Sequence, residues 1–178
     1  MSLTRRTQQW ATFGRTWYLY DMKWQNPFHS ARKIAYVLSG RNKPIFEDRT
    51  DCGDHVVAIN SRHISLPGNE WEKRVYYHHT GYPGGATWTL AHELHAKDPT
   101  IIVEKAVYSA LDKDLTRHGR MRKLHIFPDD KVPEKIMQNV THQLRQMRPV
   151  PVRLDHIPKD VVDNFPKIFD WPKDFVLK

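Results

Sequence analysis

The sequence predicts an α/β layered fold, on three observations. Short apolar runs of strand length are interleaved with amphipathic stretches at helical spacing. The chain has 178 residues, enough for about one domain with one core. Cys52 is the only cysteine, so neither an intrachain disulfide framework nor a multi-cysteine zinc site can organise it, and a reducing interior is the expected compartment.

The elements follow in order. WYLY at 17–20 is an aromatic and apolar run of buried-strand length. Asn26-Pro27 has the form of an N-cap followed by proline at the first helical position. Phe28, Ala31, Ile34, Ala35 and Leu38 then recur at three- and four-residue intervals, and Gly40 closes that helix. VVAI at 56–59 reads as a strand covered on both faces. SRHISLPGN at 61–69 has only Ile64 and Leu66 as aliphatic side chains and is expected to be a loop. RVYY at 74–77 is a third candidate strand, and Thr87 to His95 is expected to form a short helix. Asp98-Pro99 is a helix start, after which Ile102, Ala106 and Ala110, flanked by Val103, Val107 and Leu111, form a wide apolar stripe. A helical stretch at 115–122 and a fourth strand, LHIF at 124–127, complete the series. Beyond Pro128, prolines at 133, 149, 151, 158, 166 and 172 prevent long helices and favour an extended segment lying on something else, with 138–147 the best place for one more short helix.

The formal charge is +8, and it is concentrated. Residues 1–50 carry nine Lys/Arg against three Asp/Glu and residues 101–150 ten against six. Cations that neutralise phosphates release condensed counterions, so this distribution favours a polyanionic partner over mere solubility. No run approaches the roughly 20 apolar residues needed to span a bilayer, so a soluble protein without a membrane partner is expected. The opening MSLTRRTQQWATFGRTW has Arg5, Arg6 and Arg15, several hydroxyls and no acid before Asp21, the composition of a mitochondrial transit peptide. Its Trp10, Phe13 and Trp17 equally suit a segment that packs or stacks in the mature protein.

Three segments are candidates for chemistry. His92 and His95 in AHELHAKD lack the i, i+4 spacing of a zinc helix and have no indicated third ligand. The stretch YHHTGYPGG at 77–85 offers no acid-base system for Thr80, no paired carboxylates, and no G-K-[ST] after its glycines. His78 and His79 are adjacent, so their rings leave a strand on opposite faces. What the loop supplies is an adaptable glycine backbone with His78, His79 and Tyr82, a set suited to stacking on unpaired bases and donating to phosphates; a tight structural turn is the competing reading. RHGRMRK at 117–123 places Arg117, Arg120, Arg122 and Lys123 together with no acid, which favours phosphate contacts. Arg41 and Lys43 extend that argument to the end of the first helix.

WYLYDMKWQNPFHSARKIAYVLSGRNKPIF, DCGDHVVAINSRHISLPGNEWEKRVYYHHTGYPGG and DPTIIVEKAVYSALDKDLTRHGRMRKLHIFPDD, taken together, resemble the large-ribosomal-subunit protein thirteen family in its mitochondrial form. GDHVVAIN followed some twenty residues later by YHHTGYPGG is the specific signature. The opening QQWATFGRTWYLYD and the tail through FPKIFDWP resemble the mitochondrial branch. The resemblance implies a three-layer α/β/α fold around a four-stranded parallel sheet. An N-terminal arm at 1–15, an α/β domain at 16–130 and a C-terminal extension at 131–178 packing on neighbouring proteins or RNA are expected. It implies a structural constituent of the mitochondrial large ribosomal subunit, in the mitochondrial matrix, that binds large-subunit ribosomal RNA and neighbouring ribosomal proteins. It implies no enzyme, no cofactor and no small-molecule substrate. The glycine loop and the basic segment would face RNA. Where many bacterial relatives read MLPKN, this chain has ALDKD at 110–114, so Lys113 is the cation expected to remain beside Asp112 and Asp114. The rivals are an α/β enzyme that binds a nucleotide at the glycine loop and a free messenger-RNA-binding regulator.

Overall fold

The computed structural model describes residues 13–150 and 154–166. Its centre is a four-stranded parallel sheet in the order β5-β2-β1-β6, built from β1 (Trp17–Asp21), β2 (His55–Ile59), β5 (Leu124–Ile126) and β6 (His142–Gln143). The register pairs Tyr18 with Val56 and Val56 with Leu124. Alternation then sends Tyr18, Tyr20, Val56, Ala58, Leu124 and Ile126 to one face, where all belong to or border the core. Two helices bury their stripes among these residues: α1 (Pro27–Leu38) and α4 (Ile101–Ala110). Ile34, Leu38, Ile102, Val103 and Val107 are fully buried, and each such side chain contributes roughly 1.5–3 kcal/mol relative to exposure.

The start of α1 is as the sequence predicts. Asn26 Oδ1 accepts from the Phe28 amide at 2.9 Å, and Pro27 occupies the first turn. Below the helix, the Tyr20 hydroxyl donates to Ser30 Oγ at 2.9 Å, which satisfies both buried groups. The expected loop at 61–69 carries one 3₁₀ turn, Ser61–His63. Short helices α2 (Glu70–Lys73) and α5 (Arg117–Met121) lead into β3 (Val75–His79) and β5.

Three expectations change. Thr87 to His95 is not one helix: β4 (Ala86–Leu90) comes first, then α3 (Ala91–Lys97). The Thr-Trp-Thr run fits a pleated surface, and β4 pairs antiparallel with β3 (Val75–His79), His79 facing Ala86. The third candidate strand therefore belongs to a separate two-stranded ribbon and not to the parallel sheet. Nor does 138–147 form a helix. α6 (Glu134–Met137) ends earlier, and the chain then runs beside β1, with the Thr141 amide donating to Trp17 O at 3.1 Å and the Leu144 amide to Leu19 O at 2.8 Å. Gln25, 1% exposed, clamps the next turn: its Nε2 donates to Arg148 O at 2.8 Å and its Oε1 accepts from the Arg148 amide at 3.0 Å. A second 3₁₀ turn, Leu154–His156, and α7 (Lys159–Asp163) follow.

Candidate nucleic-acid interface

The β3–β4 ribbon carries YHHTGYPGG outward. Gly81 and Gly84 have φ of +90° and +75°, a region that side chains with a Cβ resist, and nothing lies within 4 Å of where a Cβ would sit on either. The tip is thus shaped by glycine, and its backbone stands open to approach. It closes with the Thr80 amide on Gly85 O at 3.2 Å and the Gly85 amide on Tyr82 O at 2.9 Å. His79 Nδ1 accepts from the Gly81 amide at 2.8 Å, which fixes the tautomer and leaves Nε2 as the proton-bearing nitrogen. His78 and His79 are exposed on opposite faces of the strand, and Tyr82 is 77% exposed. One face of the ribbon adds two residues that the sequence reading did not single out as contacts: Tyr77 and Trp88, directly opposed, with ring centroids 4.6 Å apart and Trp88 70% exposed. The period-2 pattern of Thr87, Trp88 and Thr89 was the available signal.

The basic residues divide into two groups. Arg117, Arg120 and Lys123 are buried. Arg117 Nε donates to Asp112 O at 2.8 Å and a terminal nitrogen to Leu111 O at 2.7 Å, so it caps carbonyls just past the end of α4, and its guanidinium lies 4.4 Å over the Tyr108 ring. Arg120 lies 3.3 Å from carboxylates of both Asp112 and Asp114. The two acids that depart from the bacterial pattern thus serve as counterions inside this chain. A hydrogen bond from Thr116, with Arg120 beside it, holds the Asp114 carboxyl below its usual range.

Lys123 reaches Asp51 and Leu38 O, 3.4 Å away. Burial pushes its ammonium down, against the pull of Asp51. For Asp51 burial acts upward, but the bond and charge of Lys123, with Arg15, outweigh it and the carboxyl is lowered. The two partners differ because Lys123 is 4% exposed and Asp51 41%, so the lysine bears most of the desolvation. Arg15 pairs with Asp51 at 3.3 Å and Arg41 with Asp112 at 3.1 Å. Lys43 pairs with Asp54 at 2.5 Å and donates to Gly14 O at 3.0 Å. Asp54 is fully buried, and also accepts from the Thr16 amide at 2.9 Å and Asn42 Nδ2 at 3.2 Å.

Lys113 and Arg122 form the second group. Both are exposed, with no side-chain partner among the described residues. Arg5 and Arg6 lie outside the described residues. No group of three or more His, Cys, Asp or Glu side chains is placed to hold a metal ion among the described residues, and none of their helices is long and apolar enough to cross a membrane.

The model of the family described as Ribosomal protein L13 matches residues 15–133, two thirds of the chain. The chain belongs to that family. It is 58% identical to the large ribosomal subunit protein uL13m of Drosophila melanogaster over the full length of both. It is also 36% identical to the large ribosomal subunit protein uL13 of Exiguobacterium sibiricum, over 74% of this chain and 90% of that one. With uL13 of Acholeplasma laidlawii the identity is 38%, over 66% of this chain and 82% of the relative. Within this L13-family chain the ribbon, α5 and the 110–114 turn all lie inside the matched region, whereas β6 and the Gln25 clamp on Arg148 draw in residues beyond it.

Proposed function

We propose that this L13-family protein is a structural constituent of the mitochondrial large ribosomal subunit, located in the matrix, which binds and helps to fold large-subunit ribosomal RNA. The observation that carries the reading is the full-length similarity to a large ribosomal subunit protein of the mitochondrial type, tail included. Its role is structural and not enzymatic. RNA contact is assigned to the ribbon tip, through the Gly81 and Gly84 backbone with His78, His79 and Tyr82, and to the exposed cations Lys113 and Arg122. Arg117, Arg120 and Lys123 shape that surface from within, and Lys43 and the exposed Arg15 and Arg41 do so from its edge, each tied to a carboxylate or carbonyl of the fold; Arg5 and Arg6 belong to the proposed arm at 1–15. Phosphates on cations supply affinity, and RNA shape supplies selectivity.

The domain is read as three layers at 16–130 with an extension at 131–178. The complete burial of Val57, on the face turned away from α1 and α4, supports a covered second face. Val161, Val162 and Phe165, exposed at 56%, 41% and 69%, support protein neighbours for the extension. Gradient sedimentation of mitochondrial lysate tests the assignment: the chain is expected to travel with the large subunit, and its confinement to light fractions would overturn it.

A further inference from the structure

A cleft of about 640 Å³ lies between α1, α4 and the base of the ribbon, away from the glycine tip. Phe28, Arg74, Tyr76, Glu104, Lys105 and Tyr108 line it. Its chemistry is unusual for a simple surface gap. Three aromatic rings come from three different elements, and a fourth planar group lies over one of them: the Arg74 guanidinium is 4.0 Å from the Phe28 ring centroid. Glu70 holds that guanidinium flat with two contacts, 2.9 Å to Nε and 2.7 Å to a terminal nitrogen, so its plane is set in advance. Tyr76 lines the cleft, but its hydroxyl is shut off from solvent and has no hydrogen-bond partner, so an occupant does not reach it without movement of the side chain. Glu104 and Lys105 stand exposed on α4 without side-chain partners among the described residues, one an acceptor for amino groups and the other a cation for a phosphate.

We infer that this cleft receives one unstacked nucleotide of the ribosomal RNA, its base against the Arg74 and tyrosine planes and its phosphate on Lys105. Flat occupants with ring nitrogens, carbonyls and amino groups suit a lining of aromatic rings and a planar guanidinium, edged by an exposed carboxylate. An apolar peptide side chain would leave Glu104 and Lys105 without a polar partner in the cleft. A single nucleotide fits within the volume, and flipping it out is least costly where the base is already unpaired in a loop or bulge. The inference rests on the ribosomal assignment and adds a second contact, remote from the ribbon tip.

The test uses intact large subunits that contain the full chain, imaged at a resolution that separates base from side chain. A base lying in the cleft is the expected result, whereas a protein segment or solvent there would overturn the inference and leave the ribosomal assignment standing. Absence of the chain from large subunits is the different failure that sinks the assignment itself. Ser109→Trp, which plugs the cleft from an exposed position on α4, gives a second measurement. With the variant still incorporated, one RNA nucleotide protected in the wild type should gain several-fold in reactivity toward base-modifying reagents. Identical reactivity patterns in wild-type and plugged subunits would count against the cleft.

Discussion

Asp54 concentrates much of what residue-level chemistry does here. It has no exposed surface, yet it joins Lys43, Asn42 and the Thr16 amide just before β2 begins. Asp54→Ala would leave these groups unanswered and is expected to cost about 3–5 kcal/mol, read as a fall in the denaturation midpoint without change in slope. Asp51→Asn strands Lys123 more mildly because water reaches the carboxylate, and about 2 kcal/mol is expected. The imidazoles of the sheet make stability depend on pH. Trp17, His55 and His125 stack across β1, β2 and β5, with Trp17 to His55 at 4.1 Å and Trp17 to His125 at 5.2 Å. Burial lowers both histidines, and for His55 the neighbouring His125, Arg15 and Lys123 add to it against Asp54. Their folded values lie below the unfolded value near 6.5, so the unfolded chain takes up protons first and stability drops as pH falls through that region. His125→Phe keeps a ring in the stack, and thermal melts at pH 7.5 and 5.5 should show a smaller acid loss than in the wild type. An equal loss would show that the stack does not titrate as described.

At the level of elements, the ribbon and the α4–α5 junction work differently. The ribbon is mostly exposed and its tip depends on two positive-φ glycines, so Gly81→Ala should strain the tip by about 1–2 kcal/mol while the sheet core stays folded. RNA affinity is the readout, and unchanged affinity alongside the expected loss of stability would argue that the tip does not bind. The junction is held by Arg117 on the carbonyls of Leu111 and Asp112 and by Arg120 on Asp112 and Asp114. Lys113→Ala with Arg122→Ala leaves these bonds intact and should reduce the slope of log affinity against log salt by about 1 to 2. Arg117→Ala should instead lower stability, because two carbonyls lose their donor. RHGRMRK shows why such a division was hard to read. A run of like charges with no acid in it looks uncompensated, but Asp51, Asp112 and Asp114 reach it from outside the run.

Across the whole molecule, local signals sufficed wherever an element's partners lie close in sequence. The Asn26-Pro27 start, the stripe from Ile102 to Leu111 and the apolar run of β2 needed only period, capping and burial to be recognised. The two helices misplaced at 87–95 and 138–147 failed for one reason, since each segment pairs with a strand that local propensity does not register. β4 is organised by the glycine turn and β3, and β6 by the open edge of β1 more than 120 residues earlier. The YHHTGYPGG segment was legible as a glycine-shaped loop, but not as the tip of a ribbon with Tyr77 against Trp88. The sequence by itself determined the α/β class, the main helices, the family and the positive balance, because these depend on composition, periodicity and motif. Only the tertiary structure decided which four strands share the sheet and which cations face outward. Both are settled by long-range pairing, where a buried carboxylate or a free strand edge selects its partner by position in space.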